Sequence, residues 1–203
     1  MINGTQGYVD TDAALVERYE RIPFPAKHRP FLPLLPDSPV DVLDVGAGTG
    51  ADAAYLAKHG HRVVAVEPSA ALRGPGMALH AGAGVDWIDD ALPDLAAIRS
   101  LGCDYGLILL SAVWMHLDTA ERARAMPLLA ELARGGGLVL MTLRHVPVPA
   151  GRRMFEVGAS ETVELAADHG LDAVLSTRAE SLQQANRDAG VAWSFLAFQR
   201  EGG

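Results

Sequence analysis

A short glycine-rich run carries the strongest chemical signal in the chain. Leu43-Asp44-Val45-Gly46-Ala47-Gly48-Thr49-Gly50 follows a β-branched segment and opens an alanine-rich one. It therefore reads as a strand-to-helix turn whose backbone a ligand approaches closely. Gly46, Gly48 and Ala51 satisfy the dinucleotide pattern G-x-G-x-x-G/A. Gly46, Gly48 and Gly50 satisfy the G-x-G-x-G loop that binds S-adenosylmethionine (SAM). Asp44, at the carboxyl end of the strand, separates the two. A pyrophosphate at ~6 Å from that carboxylate, with an effective dielectric of ~20, costs roughly 3 kcal/mol per like-charge pair. A cationic ligand gains a similar amount. SAM carries an ammonium and a sulfonium, and its carboxylate can be held by loop amides. Asp44 thus favours SAM over NAD, and it also orders the turn by accepting from loop amides.

Two further acidic positions fit an adenosine ligand. Glu67 ends Val64-Ala65-Val66-Glu67-Pro68-Ser69, about 20 residues after the loop, where a carboxylate grips a ribose diol. Such charge-assisted bonds are worth about 1.5–3 kcal/mol each. Pro68 is placed to pack on the adenine. Asp89 and Asp90 precede Leu92-Pro93; one of them, Asp90 in preference, accepts the adenine amino group. The competing reading of this pair is a helix cap.

The elements that hold these residues alternate. Strands are expected at Val40–Val45, Arg62–Val66, Val85–Ile88, Tyr105–Leu110, Leu138–Leu143, Leu171–Thr177 and Val191–Gln199. Helices are expected at Ala51–His59, from Ser69 onward, at Thr119–Ala133 and at Ser160–His169, with Gly135-Gly136-Gly137 stopping the third. The polar stretch before the last strand reads as a hairpin excursion. The almost wholly apolar Tyr105–Leu110 suits a central parallel strand. The alternation predicts an α/β fold with one doubly wound sheet, whose ligands lie beyond the carboxyl ends of the strands. Residues 1–39 differ. Thr11-Asp12 is placed to cap a helix through Glu20, Pro23 and Pro25 break it, and Phe31, Leu32, Leu34 and Leu35 suggest a second short helix. Residues 1–39 are therefore expected to form a helical flap on a ligand-binding domain spanning 40–203.

At this point the residues resemble the class I SAM-dependent methyltransferases. The resemblance runs from about Val40 to Phe198. It rests on D-V-G-A-G-T-G at 44–50, V-V-A-V-E-P-S at 63–69, L-I-L-L-S-A-V-W-M-H-L at 107–117 and G-L-V-L-M-T-L-R-H at 137–145. It implies a Rossmann-like, mostly parallel seven-stranded sheet in the order 3-2-1-4-5-7-6, the last strand, Val191–Phe198, being antiparallel. It implies SAM as cofactor, with Asp44, Gly46, Ala47, Gly48, Gly50, Glu67, Pro68, Asp89, Asp90 and Ser111 around it. It also places Ser111 to His116 beneath the methionine end and facing the substrate.

Three groups are candidates for the methyl acceptor. Trp114 is placed to wall the sulfonium or stack on substrate, or else to pack against the next helix. His116 and His145 are candidate bases. Arg144 and Arg153, on a loop broken by Pro147, Pro149 and Gly151, suit an anionic acceptor or pair with Glu156 and Glu161. Tyr19, with Arg18 and His28, belongs to the flap, which in the resembled family often closes over SAM. Methyl transfer asks for little more, since alignment alone supplies roughly 7–11 kcal/mol.

Composition narrows the acceptor. Seventeen Lys and Arg against 25 Asp and Glu give a net charge of −8, which disfavours nucleic acid and anionic lipid. The N/D-P-P-Y/F motif of amino-methylating nucleic-acid enzymes is absent after the fourth strand. The single cysteine, Cys103, permits no internal disulfide or Cys-rich zinc site and is expected to pack in the interior. No metal site is read from the sequence. No apolar run reaches the ~18–20 residues of a membrane span, and MINGTQGYVDTD lacks the pattern of a secretion signal. The expectation is a cytoplasmic enzyme, possible as a homodimer, methylating an oxygen or nitrogen of a small molecule. RNA or protein as acceptor, a non-catalytic SAM or S-adenosylhomocysteine (SAH) binding protein, and an NAD-dependent oxidoreductase are the competing readings.

Overall fold

The computed structural model describes residues 13–145, 147–148 and 151–202; the proposed Thr11-Asp12 cap lies outside them. Apolar, β-branched runs give β1 (Asp41–Val45), β2 (Arg62–Val66), β3 (Val85–Ile88), β4 (Tyr105–Ser111), β5 (Ala133–Arg144), β6 (Leu171–Glu180) and β7 (Ala192–Arg200). They form one seven-stranded sheet in the order β3-β2-β1-β4-β5-β7-β6. β7 runs antiparallel to both neighbours and the other pairings are parallel. This is the order and polarity that the resemblance implied.

Helices lie on both faces. They are α1 (Ala13–Glu20), α2 (Phe24–Lys27), α3 (Ala51–Lys58), α4 (Ala70–Leu79), α5 (Ala96–Ser100), α6 (Thr119–Leu132), α7 (Ala159–Ala167) and α8 (Gln184–Asp188), with 3-10 turns at Arg29–Leu34 and Trp114–His116. α6 starts on a capping box, Asp118 accepting from the Glu121 amide and Glu121 from the Asp118 amide. This closes two orphan donors.

Period-two alternation divides β1 between two cores. Leu43 and Val45 join Ile108, Leu110, Met141, Met126 and Leu129 on the α6 and α7 side. Val42 joins Leu107, Leu109, Ala53, Leu56, Phe24 and Phe31 on the other. Asp44 has the parity of Val42, so it leaves the sheet toward α3 and the N-terminal segment. Phe31 is fully buried, its ring edge-on to Phe195 at 5.4 Å between centroids.

Several local expectations are corrected. β5 begins at Ala133 rather than Leu138: the glycines do not stop a helix, and the chain passes through them with a register irregularity against β4. Pro25 opens α2, because proline fits the first turn of a helix. The excursion before β7 contains α8, too short to show a periodic pattern. Cys103 is exposed, because it falls in the turn before β4 rather than on the strand.

Candidate functional site

The cavity opens where the resemblance placed it, beyond the carboxyl ends of β1, β2 and β4, with a volume of about 640 Å³. Asp44, Gly46, Ala47, Gly48, Glu67, Pro68, Asp90, Ser111, Tyr19, His116 and Arg144 all reach its wall. They come from six segments that only the sheet order brings together.

Asp44 is the unusual group. It is 1% exposed, and neither carboxylate oxygen has a hydrogen-bond partner of normal geometry. Burial drives its pKa well above the ordinary carboxylate range; Asp52 and Glu67 add to this, while Lys27 and the Ala53 amide oppose it. The expected bonds to loop amides are not made. Those amides go elsewhere: Gly46 and Ala47 donate to the Val66 carbonyl at 2.8 and 2.9 Å, and Gly48 donates to Glu67 Oε2 at 2.8 Å. Glu67 also accepts from the Ser69 amide at 2.8 Å. Its pKa is pushed up to about 7 by burial, against the pull of those two amides and Arg73.

Gly48 has a φ of +60°, and a Cβ there would lie 3.4 Å from the Tyr19 ring. The flap therefore sits directly on the loop. Glu20 ties it down, accepting from Thr49 Oγ1 at 2.6 Å with His80 Nε2 3.2 Å away. Sequence reasoning missed Lys27 and Asp52, which also line the cavity. Lys27 Nζ is 2.7 Å from Asp52 Oδ2, and the buried His28 donates to the same oxygen at 2.9 Å. These two partners hold the Asp52 carboxyl well below the usual carboxylate range. A lysine on α2 and an aspartate on α3 share no sequence signal.

His116 is half-buried on the cavity wall. Its Nδ1 faces the Arg153 carbonyl at 2.7 Å. A carbonyl only accepts, so Nδ1 carries the proton and the neutral ring has its lone pair on Nε2. Burial lowers its pKa, with the Arg153 carbonyl opposing and Arg152 and Arg153 adding to the fall. Ala112 beside it has a φ of 60°, and its amide donates to Thr142 Oγ1 at 2.9 Å. The hydroxyl thus steadies a left-handed turn that costs a non-glycine residue energy.

Five predicted residues stand elsewhere. Gly50 presses on Trp87, 2.5 Å from where its Cβ would be, so it permits packing rather than ligand approach. Asp89 is exposed and pairs with Arg73 at 2.8 Å. Trp114 is fully buried in the core, its Nε1 without a partner; the 3-10 turn after β4 carries it inward, and it touches no ligand space. Arg153 is held by Asp118 at 3.1 Å and Glu121 at 2.8 Å, rather than by Glu156 or Glu161. His145 bonds Ser194 Oγ at 2.8 Å and faces a separate hollow. Asp90 lines the cavity but also caps α5, accepting from Ala91, Ala97 and Ile98.

The cavity tests the cofactor. A buried carboxylate without a partner, at the mouth of a glycine loop, fits a cation and opposes a diphosphate. A sequence profile described as "Methyltransferase domain" matches residues 17–199. The chain belongs to the SAM-dependent methyltransferase family. No curated protein sequence matches this methyltransferase. Among solved structures it is similar to the 1,6-didemethyltoxoflavin-N1-methyltransferase of Burkholderia thailandensis, crystallised with its substrate and SAH, at 22% identity and a TM-score of 0.69, covering 88% of this chain and 77% of that one. It is similar to the magnesium protoporphyrin IX methyltransferase of Synechocystis PCC 6803 with bound SAM, at 16% identity and a TM-score of 0.67, covering 96% and 88%. It is also similar to the N-methyltransferase NodS of Bradyrhizobium japonicum WM9 with SAH, at 16% identity and a TM-score of 0.65, covering 96% and 91%. At these identities the likeness is one of fold. Among the described residues of the methyltransferase, no helix is long and apolar enough to cross a membrane.

Proposed function

We propose that this methyltransferase moves a methyl group from SAM to an oxygen or nitrogen of a small molecule, and that Asp44, Glu67 and the 46–48 loop hold the cofactor. The observation that carries the reading is the buried Asp44 carboxylate on the cavity wall, neither oxygen of which has a hydrogen bond of normal geometry. SAM supplies a methyl on a sulfonium, an electrophile that needs no further activation. Asp44 draws the cationic end of the cofactor into the cavity, and a positive charge there restores the ionised carboxylate that burial disfavours. Glu67, already ordered by two amides, retains lone pairs for the ribose hydroxyls. Asp90 keeps acceptor capacity for the adenine amino group. Tyr19 and Arg18 shield the methionine end from water, and Lys27 meets its carboxylate.

A small acceptor is supported by the cavity, whose 640 Å³ falls within the roughly 300–1,000 Å³ of small-molecule sites, and by the flap fastened over it. The similar solved structures named for 1,6-didemethyltoxoflavin and magnesium protoporphyrin IX support the same reading. Val113, Leu117, Met154, Leu182 and Trp193 offer the acceptor an apolar wall, with Arg144 and Asn186 among the polar groups. His116 takes the acceptor's proton on Nε2, while Arg153 fixes the tautomer through its carbonyl. It is a positioning residue for that base.

The test is calorimetric titration with SAM and with NADH, followed by a methyl-transfer assay against a panel of phenols, amines and carboxylic acids. SAM binding and turnover of a panel member are expected. NADH binding in place of SAM ends the cofactor assignment. SAM binding together with methylation of RNA or protein substrates alone ends the acceptor assignment.

A further inference from the structure

A second hollow of about 480 Å³ adjoins the cavity. Its walls are the end of β5, the segment leading into α7, and the outer strands β6 and β7. Arg144, Val148 and Met154 line both spaces, so one molecule can extend from one into the other. Arg178 and Ser194 face each other across β6 and β7 and therefore project from the same side of the sheet. His145 reaches that side from the end of β5, bonded to Ser194.

The charge of the hollow is the unexpected feature. Arg144 and Arg178 line it against one carboxylate, Glu156, in a chain of net charge −8. Among the described residues Arg62, Arg73, Arg122, Arg124 and Arg153 each meet a carboxylate. The Arg178 side chain, exposed on the edge strand β6, makes no hydrogen bond or ion pair with a described residue. His145 reports the local field: burial and then Arg178 lower its pKa, and Glu156 raises it by less. Two guanidiniums and the hydroxyls of Ser176 and Ser194 give a donor-rich wall, and such a wall fits an oxyanion.

We propose that this hollow is an oxyanion subsite, in which Arg178, Arg144 and Ser194 seat a carboxylate or phosphate carried by the methyl acceptor at the end remote from the methylated atom. The inference rests on the acceptor reading above and adds the acceptor's charge class. His145 is then part of the subsite rather than the base. With an anion in place, Ser194 donates to it and accepts from a protonated His145 Nε2, so occupancy favours the imidazolium.

That linkage gives the test. The His145 ring is titrated by NMR in the full chain with SAH, its signal assigned by loss in His145→Gln. The titration is run in sodium chloride, sodium sulfate and sodium acetate at equal ionic strength. Sulfate stands in for a phosphate and acetate for a carboxylate. An upward move of the His145 midpoint by about half a pH unit or more over chloride, reduced in Arg178→Gln, is the expected result. A response to sulfate alone assigns a phosphate, and one to acetate alone a carboxylate. No response to either anion, or an equal response in Arg178→Gln, overturns the subsite. SAH calorimetry on the same samples is a separate readout: lost SAH binding with the anion response intact would unseat the cofactor reading and leave the anion site standing.

Discussion

At the scale of single residues, the proposed cofactor half of the cavity turns on two carboxylates that line it, Asp44 and Glu67. Removing the charge from Asp44 while keeping its shape separates attraction from packing. Asp44→Asn is expected to weaken SAM binding about 10–100-fold with unchanged circular dichroism; undiminished affinity by calorimetry would show that the carboxylate does not meet the cation. Glu67 makes a claim about pH. Its folded-state pKa of about 7 lies above the ordinary value of 4.5, so the folded chain holds a proton that the unfolded chain releases across that window. Stability is therefore full below about pH 4.5 and falls as pH rises through 7, by about 3 kcal/mol from this group. The cofactor-free melting temperature should decline between pH 5 and pH 8, and Glu67→Gln should flatten the decline. Sequence spacing found both acids because they follow strands at fixed offsets from the glycine loop. It could not find Lys27 or Asp52, whose 2.7 Å contact depends on how the N-terminal segment folds back. It also overvalued Arg153, whose carboxylate partners Asp118 and Glu121 lie more than thirty residues away in the chain.

At the scale of elements, the N-terminal segment does two jobs. Its second half belongs to the core, with Phe31 buried between α3 and β7. Phe31→Ala is expected to cost about 3–5 kcal/mol, read as a lower urea midpoint with the slope retained. Its first half is fastened more lightly, through Glu20 to Thr49 and His80. Glu20→Gln should accelerate hydrogen exchange in α1 about tenfold, since hydrogen bonds to a charged group are worth roughly 1.5–3 kcal/mol, while exchange in β1 and β4 stays slow. Unchanged exchange in α1 would mean that Tyr19 packing alone holds the flap. The long strands and α6 were legible because several turns or alternations repeat the same message. α5 and α8 were not, since five residues hold too little of a helical period to register. Trp114 was left between two readings, of which it takes core packing, for a related reason: a single 3-10 turn after a strand has no alternation from which to read direction.

At the scale of the whole molecule, the cavity has two halves of different origin. On the proposed reading β1, β2 and β3 with their following turns supply the cofactor half, and the residues of that half were readable as motifs. On the proposed reading the acceptor half is assembled from the ends of β4 and β5, from Leu182 and Asn186 on the segment joining β6 to β7, and from Trp193 on β7, which follow no pattern. Their roles emerge only when the sheet brings β7 between β5 and β6. Leu182→Ser is therefore expected to raise the acceptor KM about tenfold, from lost apolar burial, and to leave the SAM KM within about twofold; equal effects on both would show that the halves are not separable. Of the chain's three indoles one lines the cavity and two pack away from it. Trp87 touches the position of a Gly50 Cβ, Trp193 lines the acceptor wall, and Trp114 is sealed inside. Variants retaining one emitter apiece would turn fluorescence into a clock with a single hand, Trp193 timing arrivals in the cavity against two signals that stay still.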